Sequence, residues 1–296
     1  MGFISELFGY LLNALYTLFN NYGIAIIVFS VILRIILIPI TIKQQKTMKK
    51  SAELQAEMQE ISKKYKNNPE KLNQETIELY KREKMSPFSG CLSSIVQLII
   101  ILSVFWLVSQ PLTYMKGLDK VVYDSNVEES AQESVVEHYK KELQNENNGQ
   151  KTSYAEIEII NKYAATDERV AINMNFLGLD LSKVPGNNLG DWTVYVIPVL
   201  YVLSSIFSIR MTTNMTKKKE EKTLAEKIES GESDEMEAMQ AMNKNMTYMM
   251  PIMSVFIAFI APLGLALYWF VSNVLMIIEK LIIDKIMKHK EEKENA

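Results

Sequence analysis

The chain has 296 residues, with 32 basic and 35 acidic side chains and a formal net charge of -3. Its mean hydropathy is near zero, yet long stretches are almost free of charge and the charges crowd the intervals between them, the composition of a multispan membrane protein with soluble loops. The single cysteine, Cys91, excludes an intramolecular disulfide and a cysteine-cluster metal site, and His138 and His289 stand too far apart, in charged segments, to suggest a histidine site.

Residues 1–22 place Phe3, Leu7, Leu11, Ala14, Leu15 and Leu18 at helical spacing. They read as an amphipathic helix lying in the membrane interface, the alternative being an extension of the first span. MGFISELFGY has no basic n-region and no small-x-small site follows, so a cleaved leader is not expected. Asn20, Asn21 and Gly23 separate this segment from the next.

The first span is 23–42. Its apolar run carries one arginine, Arg34, near the middle, and Lys43, Lys46, Lys49 and Lys50 follow. The basic flank places that end in the cytoplasm and the N-terminus outside. A charge at mid-membrane costs from ~3 to over ~10 kcal/mol, depending on the reference, so Arg34 is expected to face a wet cavity or a partner. It sits ~12 Å along the helix from the lysines, which strains a snorkelling arrangement. Pro39, near the inner end, allows a kink.

Residues 43–88 carry eleven basic against seven acidic side chains. Leu54, Met58, Ile61 and Tyr65 mark one apolar stripe, and Leu72, Leu79 and Tyr80 another. Asn68 as N-cap and Pro69 at the first helical position predict a turn between two helices, hence a cytoplasmic helical hairpin. The second span is 91–110, with Trp106 towards its outer end and Gln97 in its inner half, either as helix–helix glue or as a cavity-lining group.

Residues 111–192 form an extracellular acidic loop, eight basic against fourteen acidic. Residues 125–170 read as helical, broken by NENNGQ at 145–150, and NFLGLDLSKVPG at 175–186 as the apolar return to the membrane. The third span is 193–212, with Pro198 as a kink site and Arg210 close enough to the inner end to snorkel. Residues 213–246 form a second cytoplasmic loop in which Met236, Met239, Met242 and Met246 recur at helical spacing, an apolar helix face. Spans four and five, 247–261 and 264–283, are joined by a tight turn at Pro262 and Gly264, and the tail 284–296 lies in the cytoplasm with a disordered end.

The chain contains no GxxxxGK[ST], GxSxG or HExxH, and no span carries the paired carboxylates of a proton relay. Neither an enzyme nor a cofactor or metal is expected. What remains is Arg34 with neutral polar residues in the spans: Gln97, Ser204, Ser205, Ser208, Ser272 and Asn273. Together they would line a polar, water-filled cavity opening to the cytoplasm. A positive, wet cavity suits transient acceptance of a hydrophilic, preferably acidic, segment.

The stretch SVILRIILIPITIKQQKTMKKSAELQAEMQEISKKYKNNPEKLNQETIELYKREKMSPFSGCL, the last-span GLALYWFVSN and the segment NFLGLDLSKVP resemble the YidC family of membrane protein insertases, which includes the Oxa group of mitochondria and the Alb group of chloroplasts. The resemblance implies the five-span type found in Gram-positive bacteria. The expected architecture is an all-α integral membrane protein, with five transmembrane helices around a hydrophilic groove, a cytoplasmic helical hairpin and an N-terminal interfacial helix. It also implies an ATP-independent insertase and folding factor in the bacterial plasma membrane. Arg34 would stand in the groove, with Gln97 and Trp269 at matching places. Ser208 takes the place of the family's span-three glutamine, and Ser93 and Leu98 replace two of its prolines. The implied partners are nascent membrane proteins and the lipid bilayer, with the ribosome and a Sec-type translocon as further candidates and no specific nucleic acid. The competing readings are an anion-binding channel or transporter built on Arg34, and a membrane assembly scaffold that works through the hairpin.

Overall fold

A computed structural model describes residues 2–65, 68–83, 89–124, 132–150, 152–211 and 256–294. It forms two compact units, one of Leu33–Val104 and one of Gly2–Ile32 with Phe105–Ala296. Among the described residues four helices are long and apolar enough to cross a membrane: Gly2–Phe19, Tyr22–Thr47, Trp192–Met211 and Leu263–Ile283. A shorter apolar helix covers Leu98–Ser109. The second cytoplasmic loop, with its methionine face, and residues 247–255 of the fourth span lie outside the described residues.

The first unit holds most of α2 (Tyr22–Lys64), α3 (Pro69–Arg82) and most of α4 (Ser89–Ser109). The sequence divides span from hairpin at Ile42. The chain instead runs through that point as one helix of 43 residues, with Pro39 inside it. Nothing at 42–50 breaks a helix: the lysines and glutamines there are good helix formers, and only their solvent changes. The hairpin turn forms as its residues indicate, with Pro69 at the first helical position and the Asn68 side chain accepting from Lys71 N at 3.1 Å. The two arms pack on each other. Leu54 and Leu79 are buried, the Tyr80 hydroxyl donates to Met58 Sδ at 3.3 Å, and the Tyr65 hydroxyl donates to Glu75 Oε1 at 3.0 Å. Arg82 pairs with Glu57, and Lys50 donates to the Glu83 carbonyl at 2.6 Å.

The second unit contains residues 110–195 together with α1 (Gly2–Phe19) and the first turns of α2. Here α1 buries Ser5, Gly9 and Leu12 and packs on α5 (Pro111–Tyr114). Its other side leaves Phe3, Leu7, Tyr10 and Leu18 exposed at helical spacing. A helix with protein on one side and bare apolar side chains on the other has the form of one that meets lipid. The acidic interval forms α6 (Val135–Glu146) and α7 (Ala155–Tyr163), packed on each other. Between them Asn148 and Gly149 turn the chain at positive φ, inside the break that NENNGQ indicates.

Glu156 of α7 ties this insert to the bundle. It is 1% exposed, accepts from Thr113 N at 2.9 Å and Thr113 Oγ1 at 2.6 Å, and pairs with Lys140 at 3.1 Å. Gln110, at the N-cap of α5, contributes no side-chain cap, so the carboxylate of a distant helix satisfies an α5 donor instead.

Residues 173–192 then form a strap. β1 (Asn175–Phe176) and β2 (Leu179–Asp180) form a short antiparallel hairpin, turning through Leu177 and Gly178 at φ +52° and +82°. Two positive φ values in succession match a type I′ turn. The sequence shows only an apolar return here, because two-residue strands leave no period to read. After the strap, a 3₁₀ turn at Trp192–Tyr195 leads into α8 (196–211). Pro198 falls in the first turn of α8, where its missing N–H breaks no helical bond, so it belongs to the helix start and not to a kink. α9 (256–260) and α10 (Leu263–Glu294) flank Pro262. The tail is helical to Glu294, and residues 295–296, at the end expected to be disordered, lie outside the described residues.

Replacing Glu156 by alanine leaves Thr113 and Lys140 without their acceptor. Because Lys140 is part-exposed, the expected cost is about 2–3 kcal/mol, read as a lower melting temperature and faster proteolysis within 132–170. In the strap, hydrogen bonds from Lys183 and then Thr193 hold the Asp191 carboxyl down at about 2. A depressed carboxylate contributes stability above its unfolded value that is lost as pH falls through the folded one. Amide exchange at Thr193 should therefore stay slow down to pH 4 and quicken towards pH 2, a transition that Asp191→Asn removes.

Candidate functional site

Helical geometry places Ser30, Arg34, Leu37, Thr41 and Gln44 along one face of α2. The hydroxyls are satisfied within the helix. Ser30 Oγ donates to the Ile26 carbonyl at 2.7 Å, and Thr41 Oγ1 donates to the Leu37 carbonyl at 3.2 Å. Arg34 is half-buried, whereas Ile35 and Ile36, off this face, are 60% and 61% exposed. The cation is thus sheltered while its aliphatic neighbours face outward, the inverse of a soluble helix. Arg34 and the hairpin belong to the same unit. Gln97 lies within α4, and its side chain falls outside the described set.

The other residues singled out in the spans lie in the second unit, on α8 and α10. Trp269 and Asn273 sit one turn apart on α10. Tyr201, Ser204, Ser205 and Ser208 follow one another along α8, all half-buried. Asn273 Nδ2 donates to Ser204 Oγ at 2.9 Å and to Ser205 Oγ at 3.1 Å, and Ser204 Oγ donates to the Tyr201 carbonyl at 2.8 Å. The Tyr201 and Trp269 rings meet at 6.3 Å between centroids, inclined by 39°. Five residues therefore form one polar and aromatic seam between two apolar helices. Ser208 lies one turn beyond Ser204, within α8 and half-buried like it.

Tyr201 escaped the sequence reading, although its i, i+4, i+7 spacing with Ser205 and Ser208 marks the same helix face. The hydroxyl–amide contacts need the three-dimensional pairing of α8 with α10, which neither helix announces alone. Among the described residues no cluster of His, Cys, Asp or Glu could hold a metal ion. The span residues offer a cation, hydroxyls, an amide and two rings. This chemistry binds and solvates polar groups in a low-dielectric setting.

A family model described as 60Kd inner membrane protein matches residues 14–292. The membrane protein insertase YidC of Caldanaerobacter subterraneus subsp. tengcongensis is 45% identical over 105 residues, 36% of this chain and 51% of that one. That of Fusobacterium nucleatum is 40% identical over 102 residues, 34% of this chain and 50% of the other. That of Treponema denticola is 27% identical over 294 residues, 97% of this chain and 39% of the other. The chain spans about half the length, or less, of these curated relatives.

The seam makes a measurable claim. A double-mutant cycle with Asn273→Ala against Ser204→Ala and Ser205→Ala together should give a coupling of about 0.6 kcal/mol and no more than about 1.7, read from unfolding in detergent micelles.

Proposed function

This chain belongs to the 60Kd inner membrane protein family, and on that premise we propose that it is an ATP-independent membrane protein insertase and folding factor. The observation that carries the reading is Arg34, a half-buried cation on a helix whose neighbouring isoleucines face outward. Its membrane location is multi-pass, in keeping with the family and the apolar helices. The proposed orientation follows the charges. The lysine-rich flank 43–50 and the net-positive hairpin lie in the cytoplasm with the C-terminus, and the N-terminus and the acidic insert lie outside.

In this reading Arg34 forms the positive wall of a groove open to the cytoplasm, and Gln97, Ser208 and Trp269 supply its polar and aromatic company. The groove accepts the hydrophilic, preferably acidic, tail of a nascent membrane protein while the apolar segment leaves to lipid. The cation lowers the barrier because an unpaired charge loses most of its solvation in hydrocarbon and regains part of it from a fixed counter-charge. The hairpin α2–α3 receives substrate on the cytoplasmic side, and the ribosome and a Sec-type translocon are the partners it would meet there. The work is done by binding and hydration, without chemistry on the substrate.

The test is insertion of small single-span proteins with acidic N-terminal tails into vesicles carrying the purified chain. Arg34→Ala should reduce insertion at least tenfold and Arg34→Lys should restore a substantial part, since the charge matters more than the guanidinium fork. Equal insertion by wild type and Arg34→Ala for every such substrate would remove the electrostatic groove. Anion flux through protein-containing vesicles, lost on changing Arg34, would point to a channel instead.

A further inference from the structure

The strap of residues 173–192 carries a feature that the insertase reading does not use. Three of its apolar side chains are turned out of the fold: Leu177 at 87% exposure, Leu189 at 64% and Trp192 at 75%. The segments that carry them are tied to one another. Leu177 is the tip of the β1–β2 hairpin, and β2 packs on the 3₁₀ turn that begins with Trp192. The Tyr195 hydroxyl of that turn donates to the Leu189 carbonyl at 3.1 Å.

The strap lies beside the starts of two candidate spans. Trp192 is the first residue of an apolar span, Trp192–Met211. Asn21, immediately before the span that opens at Tyr22, donates from Nδ2 to the Asn175 carbonyl at 2.7 Å. A Cβ on Gly23 would overlap the Phe176 ring, so the hairpin lies directly against the first turn of that span. Both ends of the strap are therefore fixed beside the first residues of candidate spans.

Many polar groups of the strap bond one another, although Asn173, Asn175 and Asn187 stay exposed. Asp180 Oδ1 accepts from Ser182 N at 3.0 Å and Ser182 Oγ at 2.6 Å. Lys183 pairs with Asp191 at 2.7 Å, and Asp191 also accepts from Thr193 N and Oγ1. Asn175 Oδ1 accepts from Gly178 N, and Asn188 Nδ2 donates to the Val184 carbonyl. The backbone N–H groups of Asn187, Asn188 and Asp191 donate to the carbonyls of Val184, Pro185 and Asn188. Non-helical backbone is tolerated near hydrocarbon only when its donors and acceptors are met internally.

From exposed apolar tips on a strap that is hydrogen-bonded to itself and to the starts of spans, we propose that Leu177, Leu189 and Trp192 insert into the lipid interface of the leaflet on that side and anchor the strap there. The occupant is the glycerolipid headgroup–acyl boundary. Aromatic and aliphatic tips favour that zone, where an indole buries its ring and keeps its N–H wet. The three charges of the strap, Asp180, Lys183 and Asp191, are already engaged, so anionic lipid is not required. The proposal rests on the multi-pass location alone and is indifferent to whether Arg34 serves an insertase groove.

Spin labels at Leu177→Cys and Trp192→Cys, each with Cys91→Ser, test it in liposomes of phosphatidylcholine with and without phosphatidylglycerol. Asn148→Cys, on the α6–α7 turn, provides the aqueous reference. Both strap labels should be more accessible to oxygen than to a nickel chelate, about 5–10 Å below the phosphates, in both lipid mixtures. Chelate accessibility equal to the Asn148 site would overturn the proposal and leave the patch to a soluble protein partner. Shielding from both reagents would overturn it in favour of a second copy of the chain. Hydroxyl-radical footprinting of the unmodified protein provides a check free of substitutions. Trp192, although three-quarters exposed, should be oxidised no faster than half-buried Trp269. Faster oxidation would refute the insertion.

Discussion

A helix that enters lipid brings N–H groups with no acceptor in its own first turn, and water is not there to take them. In this chain the strap meets that constraint. Tyr22 N, at the start of α2, donates to the Asn173 carbonyl at 3.1 Å, and the Asn21 side chain accepts from Ile24 N at 3.1 Å. Leu263 N and Gly264 N, opening α10, donate to the Lys183 and Leu181 carbonyls, both at 2.9 Å. Asn173 also donates from Nδ2 to the Asn20 carbonyl and receives its own amide partner from the Tyr16 hydroxyl. One irregular segment thus supplies acceptors to two spans and donors to the α1–α2 corner, where Asn20 sits at φ +48°. Unmet, each such donor in hydrocarbon would cost several kcal/mol.

The insert gains its attachment within the same unit. Glu156 reaches Thr113 from a helix 43 positions further along the chain, and Lys116 Nζ donates to the carbonyls of Arg169 and Ala171, each at 2.8 Å. Within the insert, Arg169 bonds Asp167 and lies 5.2 Å from the Tyr123 ring centre, and Tyr123 stacks on His138 at 3.4 Å. The hydrogen bonds from Arg169 keep the Asp167 carboxyl below its ordinary range, while burial and then Asp167 push the Tyr139 hydroxyl up. The described part of the acidic interval is therefore a folded body, with Val136, Leu143, Ile157, Ile159 and Ile160 in an apolar core and these polar contacts at its margin. Its net negative charge describes its surface and says little about its interior.

Sequence patterning carried far in the spans because hydrocarbon imposes a single rule on every residue in them. Arg34 stands out against that rule, and so do the helix-ending asparagines at 20 and 21 and the Asn68–Pro69 turn. Patterning failed where the solvent changes but the backbone does not. The apolar run of the sequence ends at Ile42, yet α2 continues to Lys64, because helix propensity is blind to that change. It failed again for the strap, whose β1–β2 hairpin is too short to show alternation and whose acceptors serve span starts 80 or more positions away. In the candidate site, Arg34 was legible from its cost. The pairing of Asn273 with Ser204 and Ser205 was not, since serines and asparagines in spans look alike whichever helix they bond.

The uninterrupted course of α2 has a mechanical consequence. Arg34 and Lys64 lie on the same helix and in the same unit, about 45 Å apart at 1.5 Å per residue. A flexible joint at residue 42 would let the hairpin swing without disturbing the arginine. A continuous helix instead behaves as a shaft, and torque applied at the hairpin tip turns the Arg34 face by a corresponding angle. The compliance of that shaft is concentrated at Pro39, where one rung of the hydrogen-bond ladder is missing, five residues from the charge it would steer.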